Sequence, residues 1–199
     1  MKEELEEFKR KIIAYAKEIG EKEWFYPSEE GVMGFDGTQD IILLGLNPSS
    51  GEFKDNDRKL YGLLKEKGFV DIHITDFIRL KAKNKEVKKR FIGNEKLMKE
   101  QVAFFKEELS IIKPKIIIAL GVDCYKLLNK YFPEMFLDNS PCKVIKILHY
   151  GQSAYRKSEK VFKEISAQLD KIKEKYKILC KKWELLNTIY TKPLNSKPL

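Results

Sequence analysis

Two polar residues in this sequence have the type and the position to take part in catalysis. Asn47 lies in the segment GLNPSS, residues 45–50, which directly follows an apolar run. Its amide offers one acceptor and two donors, so it could hold a water molecule or a polar heterocycle. His149 follows another apolar run, and a neutral imidazole there can donate a hydrogen bond to developing negative charge. Both also have a structural interpretation: a capped strand-to-helix turn at residues 45–50 and a satisfied histidine at a strand end.

Asp76, Phe53 and a basic segment add to these candidates. Asp76 interrupts an apolar run, and a carboxylate there could recognise a polar ring edge, act as a general base or cap a helix. Residues 79–90, RLKAKNKEVKKR, hold seven basic residues and one acidic residue, so they could bind phosphates or form a solvated loop. Phe53 could stack on a ring or belong to the core. His73, the second histidine, lies inside an apolar run, which favours a structural role.

Apolar runs alternate with amphipathic stretches along the chain. The runs predict strands at residues 41–44, 70–78, 113–121 and 143–149, and the amphipathic stretches predict helices at residues 2–19, 56–67, 95–112, 122–132 and 157–178. Residues 24–39, rich in glycine, predict a long loop or a short hairpin. Strands that alternate with helices indicate a parallel sheet with right-handed crossovers. Because ligands of such sheets bind beyond the carboxyl ends of the strands, we expect all four strand ends to meet at one cleft.

The composition restricts both the class of protein and the kind of site. The chain of 199 residues carries 39 Lys and Arg against 30 Asp and Glu, a net charge of +9, which suggests a polyanionic partner. The length fits one domain, predicted to span residues 1–192 with a frayed tail at 193–199. No apolar run is long enough to span a bilayer, so no membrane partner is expected. Three distant cysteines exclude a disulfide scaffold and a four-cysteine metal or iron–sulfur site within the chain, and with the highly charged N-terminus they favour a cytoplasmic location.

Four segments together resemble the motifs of the uracil-DNA glycosylase superfamily. GLNPS at residues 45–49 resembles the Asn-containing form of its first motif, GxNPx, and residues 149–156 occupy the place of its second motif, HPSxxxR. TDFIR at residues 75–79 and KPKIIIALG at residues 113–121 are similar to two stretches of the thermostable bacterial and archaeal branch. The segments come in family order with family-like spacing.

The resemblance implies a three-layer α/β/α sandwich around a four-stranded parallel sheet, with a pocket that takes a base flipped out of DNA. It implies that Asn47 positions the attacking water and that His149 hydrogen-bonds the base and stabilises the leaving anion. The implied base-binding residues are Gly45, Leu46, Phe53, which would stack on the base, and Asp76, which stands where the family has an Asn that reads the base edge. The implied DNA contacts are Ser49, Ser50, Arg79, Lys81, Lys83, Gln152, Ser153, Tyr155 and Arg156. We expect a monomer that needs no metal and no cofactor.

Three departures from the family pattern bear on activity. Asn47 replaces a carboxylate, so activation of water would be weak. The second motif reads HYGQS, without the usual proline and serine. Asp76 replaces an amide, and an ionised carboxylate accepts hydrogen bonds but cannot donate them. This last change predicts weak activity on uracil, or a preference for a base that presents donors.

The sequence therefore predicts a DNA glycosylase that removes uracil or another deaminated base in base excision repair. Two alternatives stay open. A non-catalytic nucleic-acid-binding member of the same superfamily would keep the fold and the basic groove without turnover. An enzyme of the same sheet class that acts on a free nucleoside or nucleotide would bind DNA weakly and without salt dependence.

Overall fold

The chain folds into four strands and six α-helices over the residues that a computed structural model describes, which are 1–49, 51–154 and 156–190, with the backbone alone given for 84–85, 88, 153–154 and 176–190. The strands are β1 (Ile41–Gly45), β2 (His73–Asp76), β3 (Ile116–Leu120) and β4 (Lys143–Ile147). The helices are α1 (Lys2–Glu18), α2 (Asp55–Glu66), α3 (Asn84–Val87), α4 (Glu95–Ile112), α5 (Gly121–Tyr131) and α6 (Ser158–Tyr190). Every predicted strand and helix is present, and only the single turn α3 was not predicted.

The four strands form one parallel sheet in the order β2-β1-β3-β4. β1 lies inside the sheet, where Leu43 is paired with Ile74 of β2 on one side and with Ile118 of β3 on the other. Every residue of β1 and of β3 is buried. Burial on both faces is what continuous apolar runs indicate in a parallel sheet, and the predicted α/β fold is confirmed.

Helices cover both faces of the sheet, and each face has its own hydrophobic cluster. Ile41 and Leu43 of β1 belong to the cluster that α2 and α6 complete with Leu60, Tyr61, Leu64, Val161, Ile165 and Leu169. Ile42 and Leu44 belong to the opposite cluster, which α1, α4 and α5 complete with Leu5, Phe8, Ile12, Phe105, Ile112 and Leu128. The β1 side chains alternate between the clusters because successive side chains of a strand point to opposite faces. The three-layer sandwich is therefore confirmed.

The largest differences from the predicted bounds are at β2 and α6. β2 begins only at His73, because the residues before it form a turn in which the Asp71 carboxylate accepts a hydrogen bond of 2.8 Å from the Thr38 hydroxyl. α6 continues to Tyr190, because no glycine or proline interrupts residues 179–190. Residues 24–39 hold a short 3-10 turn and one isolated bridge between Glu29 and Val32, so the predicted hairpin is reduced to a single pair.

The basic segment 79–90 runs past the end of β2 and lies against the chain that follows α1. Leu80 forms an antiparallel bridge with Glu23, and the backbone N–H of Lys81 donates to the carbonyl oxygen of Lys22 at 2.7 Å. α3 and a π-helical turn at Lys88–Ile92 then lead into α4. Among the described residues, no helix combines the length and the apolar character needed to cross a membrane. The tail at 193–199 lies outside the described residues.

Candidate active site

A cavity of about 550 Å³ opens at the carboxyl edge of the sheet. Its walls come from the segments that follow β1, β3 and β4, from the start of α2, and from the aromatic residues Trp24 and Tyr26 before β1. No residue from Asp76 to Arg79, at the end of β2, lines it. Three of the four strand ends therefore meet at the cavity, instead of the four that were predicted.

Asn47 lies on the cavity wall in the turn that follows β1. Its side-chain nitrogen donates a hydrogen bond of 2.7 Å to the carbonyl oxygen of Ala82, which fixes the orientation of the amide. The backbone carbonyl oxygens of Gly45 and Leu46 accept from Phe77 and Ile78, so the turn is tied to the chain beyond β2. One N–H of the amide is used in this bond, so the side chain can still offer its second N–H and its oxygen to a ligand or a water.

His149 also lines the cavity, and its surroundings define its protonation state. Its Nδ1 accepts a hydrogen bond of 2.8 Å from the backbone N–H of Gly151, and its ring stacks on Tyr150 at 4.8 Å. Burial lowers the pKa of His149, and the nearby charge of Asp57 opposes this only in part. The ring is therefore neutral at neutral pH, and because Nδ1 is an acceptor its proton lies on Nε2. Nε2–H is then the donor that the ring can offer.

Gly121, where β3 passes into α5, makes room for this histidine. Its φ is +83°, and a Cβ at this position would lie 3.1 Å from the Cβ of His149. A larger residue would strain the backbone and displace the imidazole. The sequence GVDC at residues 121–124 thus contributes to the site through its glycine.

A hydroxyl group that the sequence did not reveal as a partner is bound to Asp57. The Tyr150 hydroxyl donates to Asp57 Oδ1 at 2.7 Å, and Tyr26 lines the same cavity. Burial raises the pKa of both tyrosines well above its ordinary value, so both keep their protons. The backbone N–H of Lys54 donates to Asp57 Oδ2 at 2.9 Å. In the sequence Asp57 looks like an ordinary acidic residue in the first turn of a helix. The only feature that could have identified it is the apolar spacing of α2, which places Asp57 on the buried side of the helix.

Asp76, which is predicted to contact a base edge, does not line the cavity in this structure. The side chain is 4% exposed, and its Oδ1 lies against Gly45, where any Cβ would collide with it. Among the described residues Oδ1 has no hydrogen-bond partner. Burial raises the pKa of Asp76 well above its ordinary value, which favours the protonated carboxyl. Gly45, also predicted to bind the base, does not line the cavity either and instead allows Asp76 to approach.

Arg79 is buried, so the prediction that it contacts DNA is wrong. Its side chain is among the largest fully buried ones, and it lies over the rings of Phe8 at 5.4 Å and Phe105 at 5.9 Å. The guanidinium forms an ion pair with Glu108 and donates to the carbonyl oxygen of Phe77 at 3.1 Å. A basic residue in a basic run is expected at the surface, but the ion pair with Glu108 of α4 keeps the Arg79 side chain buried.

Phe53, which is predicted to stack on a base, does not line the cavity in this structure. Its ring packs edge-on against Tyr61 at 4.8 Å, with the guanidinium of Arg58 at 5.1 Å on the ring. The aromatic side chains on the cavity wall are Trp24, Tyr26 and Tyr150, with Trp24 and Tyr26 in contact at 4.6 Å.

The remaining predicted contacts differ in their relation to the cavity. Leu46, Ser49 and Gln152 line the cavity, Lys83 is exposed, and the Lys81 side chain lies beside Gly51 on the rim. Arg156 forms a two-pronged ion pair with Glu164 at 2.7 and 3.2 Å. Ser50 and Tyr155 lie outside the described residues, as does the side chain of Ser153.

In the part of the chain that the structure describes, no three His, Cys, Asp or Glu side chains are grouped so that they could hold a metal ion. Comparison with known proteins adds no relative: no family model matches the sequence, and no curated protein matches it.

Proposed function

We propose that this protein is a DNA glycosylase, similar to uracil-DNA glycosylases, that hydrolyses the N-glycosidic bond of a damaged base flipped out of DNA. The observation that carries the proposal is that Asn47 and His149 share one cavity at the carboxyl edge of a parallel sheet. They come from the two motifs that resemble those of the superfamily, and lie about a hundred residues apart in sequence. The cavity volume of about 550 Å³ is ample for a nucleobase with its sugar.

The proposed reaction uses one residue for each reacting group. The Asn47 side-chain oxygen accepts a hydrogen bond from a water, whose oxygen then attacks C1′ of the sugar. The C1′–N bond breaks and its electron pair leaves with the base, while the proton lost by the water passes to solvent or to the departing base. Nε2–H of His149 donates to the base oxygen on which negative charge develops, and so lowers the barrier. A neutral imidazole suits this role because it is already placed as a donor.

Charge and polarity at the cavity mouth support DNA as the substrate. Lys81 and Lys83 lie on the segment that also supplies the Ala82 carbonyl to Asn47, so phosphate contacts there would form beside the reacting sugar. Ser49 and Gln152 add neutral donors on the cavity wall. Arg156 would reach a phosphate only by leaving Glu164.

The test is excision from labelled duplex oligonucleotides that carry uracil, hypoxanthine, xanthine, 8-oxoguanine or a mismatched thymine, with alkali to reveal abasic sites. The protein should produce abasic sites on at least one substrate, and His149→Ala should reduce the single-turnover rate about 10²–10³-fold, as for loss of a donor to developing charge. Ile13→Ala, an exposed change on α1, serves as the control and should leave the rate unchanged.

No cleavage of any substrate, with tight and salt-sensitive DNA binding, would contradict the proposal and favour the non-catalytic nucleic-acid-binding alternative. Binding that is weak and insensitive to salt would instead favour an enzyme of free nucleosides or nucleotides.

A further inference from the structure

Asp57 is the buried carboxylate on the cavity wall. The three carboxylates that line the cavity are Glu52, Asp57 and Asp123, and of these Glu52 and Asp123 are exposed whereas Asp57 is 9% exposed. A buried carboxylate is costly unless hydrogen bonds hold it. A carboxylate in this position is suited to accept hydrogen bonds from a ligand in the cavity.

The hydrogen bonds of Asp57 fix both of its oxygens. The Tyr150 hydroxyl donates its proton to Asp57 Oδ1, and the backbone N–H of Lys54 donates to Oδ2. Each carboxylate oxygen can accept a second hydrogen bond, so Asp57 presents acceptor positions and no donor to the cavity.

Helix capping alone does not account for this arrangement. The bond from Lys54 to Oδ2 is the kind that a carboxylate three residues into a helix makes with the backbone at its start. The bond from Tyr150, which is 93 residues away in sequence, contributes nothing to the cap. It joins Asp57 to the segment that carries His149, and both residues line the cavity.

The cavity wall offers both a hydrogen-bond donor and hydrogen-bond acceptors, and this combination suits a particular base edge. His149 offers a donor, Asp57 offers acceptors, and Trp24, Tyr26 and Tyr150 provide aromatic surfaces for a flat ring. Uracil presents one N–H between two carbonyl oxygens, so at least one oxygen would face the carboxylate unfavourably. A guanine-type base presents a carbonyl oxygen, a ring N–H and an exocyclic amino group side by side, which matches a donor followed by acceptors.

We propose that Asp57 reads the flipped base, and that the preferred substrates are damaged guanine-type bases whose ring N–H and amino group lie next to each other. This inference rests on the proposed function and names its substrate class. The resemblance gave the recognition of the base edge to Asp76, which can only accept hydrogen bonds when ionised. In this proposal Asp57, on the wall of the cavity, has that role.

The test compares the protein with Asp57→Asn on duplexes that carry 8-oxoguanine or uracil at the same position. Asparagine keeps an oxygen for the Lys54 N–H but introduces a donor. The preference for 8-oxoguanine over uracil should fall about tenfold or more, since a buried polar group would lose its partner. Asp55→Asn, which neutralises an exposed carboxylate of the same helix that does not line the cavity, is the matched control and should leave the preference unchanged. Tyr150→Phe, which removes the donor to Oδ1, should reduce the preference by less.

Affinity for the same duplexes with a non-hydrolysable 2′-fluoro nucleotide at the damaged position provides a readout that does not need turnover. The protein should bind the 8-oxoguanine duplex more tightly than the uracil duplex, and Asp57→Asn should remove the difference. Excision of uracil with equal affinity for the two duplexes would overturn the inference and leave the proposed function intact. An equal loss of excision on both bases in Asp57→Asn, with no change in relative affinity, would also overturn it, because Asp57 would then act on the reaction. If no base is excised, the proposed function fails, and the affinity difference still decides whether Asp57 reads the base.

Discussion

Two groups of polar side chains in this protein are built from similar residues and differ in what surrounds them. The closed cluster consists of His73, Thr75, Arg79 and Glu108, between β2 and α4, and all four side chains are buried. The open cluster consists of Tyr26, Asp57, His149 and Tyr150, and all four line the cavity. Each cluster contains a histidine, a carboxylate and a hydroxyl group.

The closed cluster is organised around Glu108. One oxygen lies 3.2 Å from His73 Nε2 and 3.0 Å from the Thr75 hydroxyl, and the other pairs with Arg79. Burial alone would raise the pKa of Glu108, but Arg79, His73 and Thr75 together hold it below its ordinary value. The carboxylate is therefore charged and its partners are protein groups. Nothing in this arrangement is directed at a ligand.

The open cluster contains similar groups, but they keep hydrogen-bonding positions for a ligand. Asp57 is also held by protein donors, but it keeps acceptor positions toward the cavity, and His149 keeps a ring N–H. The difference between the clusters shows that a histidine near a carboxylate does not identify a site by itself. What matters is whether polar groups that are already oriented keep unused hydrogen-bonding capacity at an opening.

The closed cluster should be the more important of the two for stability. Glu108→Ala leaves the Arg79 guanidinium buried without its partner, and it should lower the free energy of unfolding by about 3–5 kcal/mol, measured by urea denaturation. Since the pKa of Glu108 is lowered by folding, its contribution is present above its unfolded pKa of about 4.3 and is lost as pH falls below that value.

Glu107→Ala is the matched control for that change. Glu107 is the neighbour of Glu108 in sequence and pairs with Lys11 at the surface at 2.7 Å. An exposed ion pair contributes little to the free energy of unfolding, so the variant should unfold at nearly the same urea concentration as the parent. Equal destabilisation by the two changes would contradict the structural role given to the closed cluster.

Asp76→Asn should have a smaller effect, visible in the pH dependence of stability. Burial raises the pKa of Asp76 in the folded state, so the folded protein binds a proton that the unfolded chain releases above about pH 4. Asp76 therefore makes stability fall as pH rises from about 4 toward its folded pKa, and asparagine removes that fall. Urea denaturation at several pH values should show the stability difference between variant and parent moving in favour of the variant as pH rises. A difference that is constant from pH 4 to pH 8 would mean that Asp76 is ionised in the folded protein.

The fold could be predicted from the sequence because its signals are local. Residues 41–44 and 116–120 are apolar at every position, which is typical of strands buried on both faces, and the amphipathic period of α4 gave its bounds without error. Asn47 and His149 could be placed at one cavity because both follow strands of a parallel sheet.

The parts of the site that could not be predicted depend on contacts between distant segments. Asp57 gains its significance from Tyr150, and neither residue stands out in its own segment. Asp76 lies at the carboxyl end of its strand as expected, but its Oδ1 lies against Gly45 and the residue does not line the cavity. One feature of the sequence does indicate a buried basic partner such as Arg79. Glu108 lies on the apolar face of α4, between Phe105 and Ile112 at helical spacing.

The most direct test measures the single-turnover excision rate and the free energy of unfolding for His149→Ala and His73→Gln side by side, on whichever base the protein excises fastest. The rate is expressed per folded molecule. His149→Ala should lose about 10²–10³-fold in rate with little change in stability, because its ring contributes a donor to the reaction and not to the core. His73→Gln should lower stability and keep the rate within about twofold, because its side chain is enclosed by the closed cluster and does not line the cavity. The same loss of rate in both variants, or a full rate in His149→Ala, would contradict the account.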